Sequence, residues 1–212
     1  MTPFALGSCR VHVGLPSVID CAYLVHYPDE IAQMIRLICG ETVVPPEWYH
    51  IVVNGEVYDQ RRRITVSIQT AYGSMWQAAS TVIVEVSSLQ YRRIDDSRFP
   101  DGLFTSPNLP APDCVRLGHY TEQEFAAAMD RLILLCGNRD VLLIPHFQHP
   151  AIESRRILRE WLKHAAERHG KRFWDQSVLA DSTPPDKLYA DPYHYTEIGI
   201  QQVRIALTSL LK

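Results

Sequence analysis

Two short apolar runs, each bounded by turn residues, constrain the fold of this chain more than any other feature. Thr81–Val86 (TVIVEV) is rich in β-branched residues, and Val141–Ile144 (VLLI) is a similar run further along. Such runs are typical of strands that are buried on both faces of a parallel sheet. Helical patterns follow them, at Thr121–Cys136 with a capping box at its start and at Ile152–His169. This alternation predicts an α/β sandwich around a mostly parallel sheet.

The remaining pattern fills in the order of the elements. We predict further strands at Phe4–Leu6, Tyr49–Val53 and Phe173–Leu179, with Ile64–Ile68 as a strand or an insertion hairpin. We predict helices at Ser17–Gly40, in two pieces broken at His26-Tyr27-Pro28, and at Thr196–Leu211. Residues 91–120 are rich in Arg, Asp, Pro and Gly and favour a long loop or lid. The length of 212 residues suits a single domain, 1–212, with this insertion.

Composition excludes several classes of protein. The net charge of −3 argues against a nucleic-acid partner, which needs a basic surface. No apolar stretch approaches the length of a membrane span, and the first residues lack the basic start of a signal peptide. Five scattered cysteines without a CxxC pair favour neither a disulfide framework nor a zinc site. We therefore expect a cytoplasmic protein, with its oligomeric state left open.

The two ends of the chain carry residues that suit nucleophilic catalysis. Ser8 or Cys9, in Gly7-Ser8-Cys9-Arg10 after the first strand, is a candidate nucleophile. Asp191 precedes His194 by three residues, so its carboxylate can reach Nδ1 and leave Nε2 to act as a base. The plainer alternatives are a small residue in a tight turn for Cys9, and a turn and helix cap for Asp191 and His194.

Further polar residues follow the predicted strands and should meet at the same edge of the sheet. Ser87, Ser88 and Gln90 are candidate oxyanion donors. Arg10 could bind an anionic substrate group. His146 and His149 could bind oxyanions or a metal, but they lack an obvious third ligand, so we predict no metal site. Each of these side chains is equally suited to a structural role. His26 could point into the site or serve as a cap.

These motifs resemble the SGNH (GDSL-like) hydrolase superfamily, and within it the Gly-Ser-Cys (GSCFA-like) subgroup. Gly7, Ser8 and Cys9 match the family's Gly-Asp-Ser block, with Cys9 at the nucleophile, and Asp191 with His194 matches its Asp-x-x-His block. The resemblance implies a flavodoxin-like, three-layer α/β/α sandwich. The strand Thr81–Val86 then corresponds to the one that precedes the family's Gly-x-Asn-Asp block.

The sequence departs from the family at that block. After Val86 it continues Ser87-Ser88-Leu89-Gln90, so the Asn of the family's oxyanion hole is missing, and Ser88 or Gln90 would have to replace it. The glycine of the second block has two candidates, Gly55 and Gly73.

The resemblance implies acyl transfer without a cofactor. Cys9 would attack an ester or thioester, His194 would move the proton, and Asp191 would orient the imidazole. Water as acceptor gives an esterase. A sugar or amine acceptor gives an acyltransferase, for which acyl-CoA or an acyl carrier is a candidate donor, and carbohydrate-linked substrates are slightly favoured. The alternatives are a binding protein that has lost the chemistry, and a metalloenzyme that uses His146, His149 and His194.

Overall fold

The computed structural model describes residues 3–8, 20–45, 48, 57–59, 64–95, 98, 102–105, 113–147, 152–192 and 194–212. Its main sheet has five parallel strands: β1 (Pro3–Gly7), β2 (Asp20–Leu24), β5 (Thr81–Val86), β9 (Asp140–Pro145) and β10 (Arg172–Phe173). Their order in the sheet is β10-β9-β5-β1-β2. This is the flavodoxin-like arrangement, in which the chain first builds one edge and then crosses back to build the other. The predicted fold class is confirmed.

The other strands lie outside this sheet. β3 (Val57–Asp59) and β4 (Ile64–Val66) form an antiparallel hairpin, one of the two alternatives predicted for Ile64–Ile68. The remaining strands are β6 (Gln90–Ile94), β7 (Leu103–Phe104), β8 (Val115–His119), β11 (Tyr189–Asp191) and β12 (His194–Tyr195). The predicted strand Tyr49–Val53 and the turn at Asn54-Gly55 lie outside the described residues.

Helices cover the sheet on both faces. One layer contains α1 (Pro28–Cys39), α2 (Ile68–Ala78), α3 (Glu122–Cys136) and α4 (Glu153–Arg168). The opposite layer contains a 3₁₀ helix (Gln176–Asp181), the short α5 (Pro185–Leu188) and α6 (Glu197–Leu210). Strand side chains alternate between the layers, as the two-residue period of a strand requires. On β5, for example, Val82 and Val84 pack in the first layer and Ile83 in the second.

The helix boundaries follow local capping chemistry. The predicted capping box of α3 is present, since Glu124 donates its backbone N–H to the Thr121 side chain and accepts the Thr121 N–H in return. In α6 the Thr196 hydroxyl accepts the N–H of Gly199 at 3.1 Å. The start of α6 is therefore fixed only two residues after His194.

Residues 91–120 were predicted as a loop with little regular structure, but the described residues of this range contain most of three strands. β6 pairs with β7 and β8 in a three-stranded antiparallel sheet. Most side chains of β6 and β8 are partly or fully exposed, so their sequences lack the apolar pattern that marks a buried strand. The sheet is held from one side, where Leu103 and Phe104 are buried in the core of the first layer.

Three other boundaries differ from the sequence analysis. The first half of the predicted helix Ser17–Gly40 contains β2, because a short apolar run is equally compatible with a strand and β1 supplies its parallel partner. The predicted last strand, Phe173–Leu179, ends at Phe173. There the Asp175 side chain accepts the N–H of Ser177 at 2.9 Å and starts the 3₁₀ helix. The sequence analysis missed α2, although Ser67 caps it by accepting the N–H of Thr70.

Candidate active site

The strand order places a crevice between β1 and β5, because the chain leaves β1 for one side of the sheet and later returns to the other side at β5. Ligands of such sheets bind at this reversal point, beyond the carboxyl ends of the strands. The candidate nucleophile turn starts at Ser8, directly after β1. The carboxyl end of β5 contributes Glu85, which the sequence analysis did not consider.

Ser8 is buried and bound to Glu85. Its backbone N–H and its hydroxyl donate to the same carboxylate oxygen, Oε2, at 2.8 and 2.5 Å. Both side chains are almost completely inaccessible to solvent. The Ser8 hydroxyl therefore serves the contact with Glu85.

Asp191 and His194 lie opposite each other in the β11–β12 pair. His194 Nδ1 lies 2.8 Å from one carboxylate oxygen of Asp191 and 3.0 Å from the other. The pairing explains the spacing of three residues, since a tight turn returns the chain so that the two side chains face each other. The His194 side chain is 60 % exposed, and Nε2 makes no hydrogen bond to any residue in the part of the chain that the structure describes.

Three buried side chains hold this turn against the sheet. Arg155, on α4, donates to the carbonyl of Pro192 at 2.6 Å and to that of Phe147 at 3.3 Å. On the other side, the Tyr195 hydroxyl donates to Gln176 at 2.7 Å, and Gln176 donates to the carbonyl of Pro145 at the end of β9. Asp191 and His194 are thus tied to the carboxyl edge of the sheet.

His146 has both ring nitrogens engaged inside the protein. Arg155 has only donors, so the 3.3 Å contact from its Nη2 identifies His146 Nε2 as an acceptor. The proton then sits on Nδ1, which lies 3.1 Å from the carbonyl of Phe147. This arrangement suits a neutral, structural imidazole. A role for His146 toward substrate stays a prediction.

Two of the candidate oxyanion donors, Ser88 and Gln90, make side-chain hydrogen bonds to other parts of the protein than the nucleophile turn. The Ser88 hydroxyl donates to the carbonyl of Gln90 and accepts the Gln90 N–H, both at 2.9 Å, within one turn. The Gln90 amide lies 3.2 Å from His119 Nε2, across the β6–β8 pair. Neither contact directs these groups toward the nucleophile turn, so their oxyanion role remains a prediction.

His26 lies at the same edge of the sheet, after β2, and is largely buried. Its carbonyl accepts the N–H groups of Ser87 and Ser88, which joins the end of β5 to the end of β2. Its N–H donates to Glu30, and its ring Nδ1 is 3.4 Å from the same carboxylate. Burial raises the pKa of Glu30, although the contacts with His26 oppose this shift.

Three candidate residues, Cys9, Arg10 and His149, lie outside the described residues. Among the residues that are described, no three His, Cys, Asp or Glu side chains come together as a metal site. None of the helices in these same parts of the chain has the length and apolar character needed to cross a membrane.

A cavity of about 700 Å³ lies beside the Asp191–His194 pair. Its wall includes Tyr189, Ala190 and Asp191 of β11, together with Arg156 of α4 and Asp186 of α5. This volume falls within the range of pockets that bind small molecules. The cavity therefore has room for a small molecule next to Asp191, the partner of the predicted base.

No family model matches this sequence, and no curated protein matches it. Solved structures do. A protein from Slackia heliotrinireducens that is described as an SGNH hydrolase aligns with a TM-score of 0.50 over 100 % of this chain and 99 % of its own, at 12 % identity. This chain has the SGNH-hydrolase fold. Two catalytic mutants of an acetylxylan esterase from Geobacillus stearothermophilus also align, at 14 % and 12 % identity, each with a TM-score of 0.47 over 98 % of this chain and 92 % of theirs.

Sequence reasoning missed Glu85, Arg155 and Gln176, which hold the two predicted halves of the site. Glu85 was detectable, because it is the one charged residue in the apolar run TVIVEV and it lies near the end of that run. A charge at such a position is rarely buried without a partner. Arg155 gave no comparable signal, since it lies in the polar stretch ESRR. Gln176 lies in Phe173–Leu179, which was predicted as a strand, and nothing in that pattern indicated its partners.

Proposed function

We propose that this protein is an SGNH-type enzyme that transfers acyl groups from a small ester or thioester, with Cys9 as nucleophile, His194 as base and Asp191 as its orienting carboxylate. The observation that carries the proposal is the hydrogen bond between Asp191 and His194 Nδ1 at the carboxyl edge of the sheet. That bond fixes the imidazole and leaves Nε2 to exchange a proton with the nucleophile. The SGNH-type strand order supports it by placing Ser8, the neighbour of Cys9, at the same edge.

In the first half-reaction the Cys9 sulfur forms a bond to the acyl carbon while His194 Nε2 takes the thiol proton. The carbonyl π electrons move to oxygen and return when the bond from the acyl carbon to its leaving group breaks. The departing alkoxide or thiolate takes the proton back from His194, and a thioester on Cys9 remains. In the second half-reaction water, or an acceptor hydroxyl or amine, gives a proton to His194 and attacks this thioester. The carbon–sulfur bond breaks, and the thiolate is protonated again.

Turnover of p-nitrophenyl acetate and of a simple acyl thioester tests the proposal. We expect Cys9→Ala and His194→Ala to remove the activity, because each takes away a group that handles the reacting bond or proton. Two exposed residues provide matched controls, Cys114→Ala and His164→Ala, which should keep wild-type rates. Activity that survives in both Cys9→Ala and His194→Ala contradicts the proposed triad. Adding a sugar or an amine and measuring the transfer product separates an acyltransferase from an esterase.

Alkylation provides a second prediction, which needs no substrate. Burial raises the pKa of the Cys136 thiol to about 12, and burial also raises that of Cys39. Since only the thiolate reacts, iodoacetamide near pH 7 should leave Cys136 unlabelled and label Cys39 slowly. We expect Cys9 to be labelled much faster than either, and His194→Ala to slow its labelling. Peptide mass spectrometry over time measures each site separately, and equal slow labelling at Cys9 would count against a base-activated thiol.

The second candidate function is a binding protein with this fold and no catalysis. The observation in its favour is that Ser88 and Gln90, the candidate replacements for the family's oxyanion Asn, are hydrogen bonded within their own turn and across β6–β8. It predicts no turnover by the wild type, and unselective alkylation of Cys9. The same two assays therefore decide between the candidates.

A further inference from the structure

Gly7 and Glu85 lie side by side on β1 and β5, one position beyond the paired residues Leu6 and Val84. A Cβ atom on Gly7 would lie 2.8 Å from the Cβ of Glu85 and 3.1 Å from its Oε2. Atoms of this kind do not approach so closely, so position 7 has to be glycine for the Glu85 side chain to occupy its place. The glycine of the Gly-Ser-Cys motif is thus explained by a residue on another strand.

Glu85 faces the layer that contains the Asp191–His194 turn. Side chains alternate along β5, so Glu85 lies on the same face as Ile83. Ile83 belongs to the core cluster that also contains Tyr195, the neighbour of His194 in β12. The carboxylate therefore lies beneath the nucleophile turn, on the side of the sheet that carries the predicted base.

The Glu85 carboxylate is unusual for a residue with only a structural role. It is 0 % exposed, and its Oε1 has no hydrogen-bond partner among the residues that the structure describes. Its Oε2 accepts both donors of Ser8. A buried carboxylate costs stability that a well-packed apolar residue would not. Such a group is retained more readily for function than for stability.

We infer that Glu85 is a positioning residue for the nucleophile. By binding the backbone N–H and the hydroxyl of Ser8 together, it fixes the backbone at Ser8, the residue that directly precedes Cys9. Gly7 makes room for the carboxylate, and Ser8 supplies its donors. This inference rests on the proposed function, because it gives Glu85 its effect through Cys9.

The test compares Glu85→Gln, Glu85→Met and the double variant Ser8→Ala/Glu85→Met with the wild type. Each is assayed for kcat and KM with p-nitrophenyl acetate and for its thermal unfolding midpoint. The double variant removes the carboxylate and the hydroxyl together, which avoids leaving the hydroxyl buried without an acceptor. Asp29→Asn is the matched control, because Asp29 is also a buried carboxylate but binds Tyr120 and Arg131.

We expect the double variant to lose less stability than Glu85→Met, because only the backbone N–H of residue 8 is left without its acceptor. Its kcat per folded molecule should fall by at least about tenfold with little change in KM, because a displaced nucleophile slows the chemical step. Glu85→Gln keeps an oxygen that can accept both Ser8 donors, so its kcat should stay within about threefold of the wild type. Asp29→Asn should keep wild-type kcat per folded molecule.

Two outcomes overturn the inference alone. One is wild-type kcat in Glu85→Met and in the double variant. The other is a loss of activity that only follows the loss of folded protein, which is the pattern of a structural residue. A wild type whose turnover does not depend on Cys9 and His194 overturns the proposed function as well. The single-residue variants of those two positions therefore separate the two failures.

Discussion

Asp191→Asn is expected to lower kcat toward p-nitrophenyl acetate by about 10⁴-fold without unfolding the protein. The Asn amide can donate to His194 Nδ1, which places the imidazole proton on Nε2, the atom that has to accept the proton of Cys9. The Asp191–His194 pair is largely exposed, at 46 % and 60 % of the two side chains, so its contribution to stability is small. Steady-state kinetics together with thermal unfolding measure both effects.

The control for this prediction is Asp186→Asn. Asp186 is an exposed carboxylate on the wall of the same cavity. Neutralising it changes the charge near the substrate but leaves the tautomer of His194 untouched. Equal losses of kcat in the two variants would mean that the negative charge near the cavity matters, and not the orientation of the imidazole. Wild-type kcat in Asp191→Asn would refute the assigned role of Asp191.

Arg155→Met is expected to destabilise the protein by about 3 kcal/mol. The substitution leaves the carbonyl of Pro192 and Nε2 of His146 without the buried donors that now satisfy them. The turn with Asp191 and His194 also loses its link to α4, so kcat per folded molecule should fall by about tenfold. Chemical denaturation and kinetics on the same preparations measure the two effects.

Arg156→Met is the matched control, one position along the same helix. Arg156 pairs with Glu153 and Glu160, and all three side chains are about half or more exposed. Exposed pairs of this kind contribute about 0–1 kcal/mol, so this variant should unfold near the wild-type denaturant concentration. If both arginine variants lose the same stability, Arg155 has no special role in anchoring the turn.

The elements that the sequence predicted well are strands that are almost fully buried and helices that start at a local cap. β5 and β9 are apolar along almost their whole length, and α3 and α6 start at strong side-chain caps. The elements that it missed depend on tertiary contacts. β2 is a strand because β1 lies beside it, and β6 and β8 keep a polar sequence because one face of their sheet is largely exposed. No local pattern records such a neighbour.

In the candidate site, too, one contact could be predicted from local sequence and another could not. The contact between Asp191 and His194 follows from a local spacing, and the structure contains it. The contact between Ser8 and Glu85 joins residues on two strands, and only the order of the strands brings them together. Whether Cys9, His194 and Asp191 act as a triad stays a prediction, which the variants above test.

The sheet of β6, β7 and β8 limits which segments of this protein can be deleted or replaced. Gln33 of α1 exchanges two hydrogen bonds with the backbone of Phe104, both at 2.9 Å, and the Tyr27 hydroxyl donates to the carbonyls of Arg92 and Thr105. A deletion of residues 90–119 would therefore remove the strands that contact α1 and would expose Tyr27 to solvent. Shortened versions for crystallisation or for substrate engineering should keep these strands. New sequence is better introduced at positions that leave the contacts of Gln33 and Tyr27 intact.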